Sequence, residues 1–225
     1  MHDPRSSARR RVIASLGGAV AMLTAPRLLS EMLVPTPRQT AGPFYPDRLP
    51  LDTDNDLLRI NDDDAQAAGD VSWVSGRILD ASGRPLRGAQ VEIWQVDRNG
   101  VYLHSGSGNR AQRDVRFQGY GRCMTGDNGE YVFRTVKPVP YAFRTAHIHF
   151  GVRHRGSSER FTTQMYVKGE PLNARDGLLN SIGDRRARDS VIVDFVPLTP
   201  GSSELAARFD IVLGLTPEAW AAAIG

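Results

Sequence analysis

Two histidines separated by one residue stand in the segment Ala146-His147-Ile148-His149-Phe150. Successive side chains on a β-strand point to opposite faces. In an extended segment His147 and His149 therefore project to one side, while Ile148 and Phe150 pack the other. Two neutral imidazoles aimed into one space make half of a metal site. The same spacing also describes a packed or surface pair of histidines, so by itself it leaves both readings open. No carboxylate lies close in sequence to the pair, which weighs against a ferrous site of two histidines and one carboxylate. Tyr141 and Arg144 arrive just before it. A tyrosine near a strand end is commonly an amphipathic side chain at a rim, and an arginine there an exposed ion-pair partner.

The elements that must position these residues are β. From Val71 onward, short apolar or alternating runs are separated by turn clusters. The expected strands are Val71–Asp80, Ala89–Asp97, Gly129–Thr135, Ala146–Arg153, Phe161–Val167, Asp189–Val196 and Arg208–Leu215. Ser82-Gly83-Arg84-Pro85, Arg98-Asn99-Gly100 and Gly126-Asp127-Asn128-Gly129 mark turns between them. Such spacing argues for a sandwich or barrel. A brief helix is expected within Ala174–Arg188 and another in Pro217–Ile224. The connection from Tyr102 to Arg122 is long and rich in Gly, Ser and Arg, the kind of loop that is usually functional. Trp94 and Cys123 read as core, Asp97 and Glu130 as solvated. Before the domain, residues 26–50 are punctuated by proline and read as an extended arm lying over it. Asp52–Asp64 is acidic and reads as a surface loop that Leu57, Leu58 and Ile60 could anchor.

Of 225 residues, 40% are hydrophobic and 24% charged, the composition of one soluble globular domain. A single Cys123 excludes an internal disulfide and a zinc ribbon. Arg9-Arg10-Arg11 precede an uncharged run from Val12 to Ala25, too short to span a bilayer comfortably. Arg9-Arg10-Arg11-Val12-Ile13 has the pattern of a twin-arginine export signal, so residues 1–25 read as a leader. The expected location is periplasmic or extracellular, with no stable membrane span after processing. Ala19-Val20-Ala21 is an A-x-A of the kind cleaved, whereas Leu23-Thr24-Ala25 is followed by Pro26, a poor cleavage context. Four of the 28 basic and one of the 25 acidic residues lie in that leader, leaving 24 of each in residues 26–225. The pI of 9.3 belongs to the targeting segment and is no argument for nucleic acid.

Longer motifs carry a resemblance. Val91-Glu92-Ile93-Trp94-Gln95, Asn99-Gly100-Val101-Tyr102, Gly119–Thr125, Phe133–Tyr141 and Arg144–Phe150 follow one another in order. Thr40–Pro46 stands before them; Thr163-Gln164-Met165-Tyr166 and Arg208–Leu213 come after. Together they resemble the intradiol ring-cleavage dioxygenases, the protocatechuate 3,4-dioxygenase branch above all, from about Thr36 to Leu215. The resemblance implies an all-β fold, an antiparallel β-sandwich over residues 71–225 with long loops; the arm and acidic loop together make up residues 26–70 before it. It also implies a non-haem Fe(III) ion held by Tyr102, Tyr141, His147 and His149, a hard acid matched to anionic oxygen. Catechol-type substrates and dioxygen are the implied partners, with a cis,cis-muconate-type diacid as product. Tyr141 is the implied ligand that substrate displaces, Arg144 the group that stabilises charge on the ring, and Gln164 a pocket-lining residue.

The sequence departs from the family pattern in places. The segment between Tyr141 and His147 is short, and Thr145 stands where proline is expected. These differences fall on the pocket wall and imply an open pocket for bulkier catechols. The helical dimerisation region of the catechol 1,2-dioxygenases has no counterpart here, and a homo-oligomer is left open. The alternatives are an exported, non-catalytic transthyretin-like sandwich binding a ligand or metal, and a ferrous or copper oxygenase using His147 and His149.

Overall fold

The computed structural model describes residues 33–60, 65–154 and 159–214. The expected leader, the Pro217–Ile224 helix and part of the acidic loop lie outside the described residues.

Among the described residues, ten strands form two sheets. In the first, β1 (Val71–Leu79) is flanked by β4 (Glu130–Val136), β9 (Leu205–Arg208) and β10 (Ile211–Val212), with β8 (Val196–Pro197) beyond β9. In the second the order is β3 (Tyr120–Met124), β2 (Gln90–Trp94), β5 (His147–Arg153), β6 (Phe161–Val167) and β7 (Ile192–Val193). β1 alternates buried and half-buried residues, as a strand with one face on a core must. Val74, Ile78 and Phe133 of the first sheet and Val91, Ile93, Ile148, Phe150 and Met165 of the second belong to one buried apolar cluster. The sandwich is thus present.

Its sheets are mixed, which corrects the antiparallel expectation. β1 runs parallel to β9 and β10, and β6 parallel to β7. For β6 and β7 the cause is the connection between them. Residues 168–191 carry a 3-10 turn (Pro171–Ala174), α1 (Gly177–Asn180) and α2 (Arg185–Ser190) before β7. Parallel partners need crossovers of a dozen residues or more, and this stretch supplies one.

Other expectations shift with local chemistry. The strand expected over Asp189–Val196 shrinks to β7 and β8, because Asp184 caps α2 through the amides of Arg186 and Ala187. Arg208–Leu215 is replaced by β9 and β10, between which Asp210 Oδ1 accepts a bond from the Arg77 amide at 2.9 Å. β3, which no expected strand covers, begins at the end of the Tyr102–Arg122 connection and pairs with β2 from Gln90↔Met124 to Trp94↔Tyr120. Asp97 is buried rather than solvated, its carboxylate accepting bonds from the amides of Asn99, Val101 and Asp114. Glu130 is exposed. Cys123 packs against the core, and burial pushes its thiol up to about 12, where it is inert.

The arm crosses the second sheet. Gln39 N donates to Thr162 O at 2.8 Å and Thr163 Oγ1 to Pro37 O at 2.8 Å, while Thr36 bonds to Val212 on the first sheet. Leu57 and Leu58 are fully buried and fasten the acidic loop, and Ile60 is half-buried. No helix among the described residues is long and apolar enough to cross a membrane.

Candidate metal centre

β5 opens at His147, and its register sets His149 opposite Trp94 on β2 and Gln164 on β6. Both imidazoles are buried. Tyr102 reaches them from the turn that Asp97 stabilises, where Gly100 has φ 75°, a backbone state that favours glycine. The Tyr102 amide donates to Ser107 Oγ at 2.9 Å, fixing its backbone, and its ring is buried. Tyr102 Oη stands 3.3 Å from His147 Nε2 and 3.0 Å from His149 Nε2, with the two nitrogens 3.2 Å apart.

The tautomer of His147 is determined by its neighbour. Nδ1 is 2.5 Å from the Thr145 carbonyl oxygen, which can only accept, so Nδ1 carries the hydrogen and Nε2 presents a lone pair. His149 lies flat on Trp94, ring centroids 4.9 Å apart and planes 6° from parallel. Its Nδ1 has no hydrogen-bond partner, so stacking orients this ring. Burial, and then Arg144, pushes His147 down to about 4; burial and His147 hold His149 well below the ordinary histidine value. Both rings are therefore neutral, the form that coordinates metal. Burial raises Tyr102 well above the usual phenol value, and the Tyr141 hydroxyl adds to it. A phenol so held ionises only beside a strong cation, a requirement that a trivalent ion meets. Ligands about 2.1 Å from a common ion lie roughly 3.0–3.4 Å from one another, which matches the spacing of these three atoms. The donor set fits ferric iron. Among the described residues no group of three or more His, Cys, Asp or Glu gathers that could hold a metal, so the two-histidine-one-carboxylate arrangement does not form there.

Tyr141 sits half-buried at the start of a two-residue turn. Its amide donates to Arg144 O at 3.2 Å and the Arg144 amide returns a bond at 2.9 Å, with Ala142 at φ 49° between them. Its ring stands edge-on to Tyr102 at 5.1 Å and 5.6 Å from His147. Arg144 Nη2 donates to Gln164 Oε1 at 2.7 Å. Gln164 is fully buried, accepts a bond from Tyr166 Oη, and donates from Nε2 to Thr40 O in the arm. All six residues expected at the site are thus brought together. Sequence reasoning missed Asp176, which accepts from Arg144 Nε at 2.7 Å. It also missed Phe44, stacked on Tyr102 at 5.1 Å, and the part Trp94 plays beside His149. Asp176 before Gly177-Leu178-Leu179 carries a helix-cap pattern that could have drawn attention to it, though not to Arg144.

Residues 40–214 match the sequence profile of the Dioxygenase family. The protocatechuate 3,4-dioxygenase beta chain of Burkholderia cepacia is 38% identical over 168 residues, which cover 71% of each chain. The chain belongs to the intradiol ring-cleavage dioxygenases. A further intradiol relative, hydroxyquinol 1,2-dioxygenase of Nocardioides simplex, is 27% identical over 202 residues, and this chain spans 62% of its length. Among solved structures, the dioxygenase domain of a carbohydrate-binding fusion from a cellulolytic Streptomyces superposes with a TM-score of 0.62 at 28% identity. The match covers 81% of this intradiol dioxygenase and all of that domain. Family membership removes the non-catalytic transthyretin-like reading.

Proposed function

We propose that this intradiol dioxygenase holds one ferric ion on Tyr102, Tyr141, His147 and His149. With it the enzyme cleaves a catechol-type ring between its hydroxyl-bearing carbons, using dioxygen, to a cis,cis-muconate-type diacid. The observation that carries this reading is the convergence of Tyr102 Oη, His147 Nε2 and His149 Nε2 within 3.0–3.3 Å, with Tyr141 against them. Bound there, ferric iron supplies a Lewis acid that draws electron density from a chelated catechol and so opens the ring to dioxygen.

The chain's own residues divide the remaining work. Tyr102 and the two histidines are buried and held by backbone or stacking contacts, so they stay in place through turnover. Tyr141 rides on a short, exposed turn. Of the four residues that would hold the ion it would be the one to yield to substrate, its phenolate oxygen taking a catechol proton. Arg144 keeps a fixed positive charge beside the site, where it stabilises negative charge developing on the ring. Gln164 holds the Arg144 guanidinium by its amide oxygen and ties the pocket to the arm. Ala142 and Phe143 alone occupy the Tyr141–Arg144 turn, and Phe143 is 82% exposed, which supports a wall open to bulkier catechols.

Phenolate bound to ferric iron absorbs visible light. The purified enzyme should be red-brown with one iron per chain, and Tyr102→Phe should fade or shift the band. A colourless protein filled with copper or zinc would sink the proposal. Export by the twin-arginine route, with iron loaded before translocation, is proposed on the leader sequence alone. Assembly into an oligomer is proposed by likeness to relatives named as alpha and beta chains.

A further inference from the structure

The carboxylate of Asp176 is fully buried and all its acceptor capacity is engaged. Oδ1 accepts from the amides of Leu178 at 3.1 Å and Leu179 at 3.0 Å, capping α1. Oδ2 accepts from Arg144 Nε at 2.7 Å and from the Thr145 amide at 3.0 Å. Rotating the carboxylate would break a helix cap, so the two donors on Oδ2 meet a fixed partner. Thr145 is held on its other atoms as well. Its hydroxyl donates to Asn173 Oδ1 at 2.7 Å, and its carbonyl takes the Nδ1 hydrogen of His147. Asn173 in turn donates from Nδ2 to Val167 O at the end of β6.

We propose that Asp176 is a positioning residue acting in two directions: it sets the Arg144 guanidinium against Gln164, and through Thr145 it sets the ring of His147. This rests on the reading of the site given above. One buried anion thereby couples the group that faces substrate charge to a ligand of the metal. Thr145 is suited to the coupling in a way that proline is not. A proline at this position would lack both the amide hydrogen given to Asp176 and the hydroxyl given to Asn173. The ion pair also bears on electrostatics. Asp176 lies at contact distance from Arg144, and both side chains are shielded from water, so the field that Arg144 exerts on substrate is partly offset and its direction fixed.

The test uses two substitutions in the iron-loaded enzyme. Asp176→Asn keeps the shape but has one acceptor oxygen for two sets of donors. Asp176→Ser keeps a good helix cap yet is too short to reach Arg144. Both should fold, bind one iron at saturation and show a shifted charge-transfer band, reporting a displaced His147. Their kcat should fall by about 10- to 100-fold, the usual cost of losing the partner of a ligand, with KM for catechol changing less. Variants whose band is unchanged and whose kcat stays within about twofold would overturn the proposal. So would an Asp176→Ser protein that fails to fold despite its cap, since the pair would then serve the fold rather than the site. A wild-type enzyme that neither binds iron nor consumes dioxygen with catechol would instead sink the reading of the site, and this inference with it.

Discussion

At His147, burial and the Arg144 guanidinium act in the same direction and lower the ring's pKa to about 4. An unfolded histidine takes up its proton near 6.5. As pH falls below that value the unfolded chain binds the proton first, so the metal-free protein loses stability until pH passes about 4. The stabilisation is fully present above pH 6.5 and amounts to about 3 kcal/mol from this one ring. Calorimetry of iron-free protein should show Tm falling across that window, and His147→Gln should flatten the fall; an equal slope in both proteins would contradict the assignment. The His147 and His149 pair was legible because strand alternation is a local rule. Tyr102, 45 residues from His147, was legible only through resemblance to a family. Asp176 lies 32 residues from Arg144, and nothing near either residue announces the other. Trp94 was read as core, which it is; that its core contact is a candidate metal ligand depends on the β2–β5 register, which no local pattern states.

Among the elements, β1 passes so close to the chain at Phe209 that only glycine fits at position 76. A Cβ on Gly76 would stand 1.9 Å from the Phe209 carbonyl oxygen and 2.9 Å from Tyr131 Oη, which itself bonds to that carbonyl. Gly76→Ala should therefore destabilise the enzyme by about 1–3 kcal/mol, measured by denaturant melts, while leaving the charge-transfer band of folded protein in place. Wild-type stability would show that the two segments separate easily. The long strands β1, β4, β5 and β6 were read close to their true bounds. β1 and β4 alternate with one face on the core, while β5 and β6, buried on both faces, show as short runs bounded by turn residues. β3 escaped because Gly119-Tyr120-Gly121-Arg122 hides the alternation. Gly121 is needed there, since Asp54 O and the Leu57 side chain lie 2.6 Å from where its Cβ would be. The parallel pairings were beyond local pattern as well, for they follow from where the chain returns after α2.

For the whole molecule, the sandwich carries the site on one sheet, with the N-terminal arm laid over that sheet. The arm's role was foreseeable from its prolines, but its bonds to Gln164 and Tyr166 were not, because side-chain pairing across some 125 residues leaves no local trace. The basic excess of the sequence sits in residues 1–25, so the proposed export signal is confined to that segment. Replacing Arg9 and Arg10 by lysine should strand the enzyme in the cytoplasm, seen by fractionation; unchanged export would remove the twin-arginine proposal. Ring cleavage itself is tested most directly by oxygen uptake of iron-loaded enzyme against a panel of catechols, with the product identified by mass and ultraviolet spectrum. The account predicts one dioxygen consumed per diphenol, both its atoms in a muconate-type diacid, and turnover of bulky catechols as well as small ones. A fully iron-loaded protein that takes up no oxygen with any catechol, or that yields a semialdehyde from cleavage beside the hydroxyls, would contradict it.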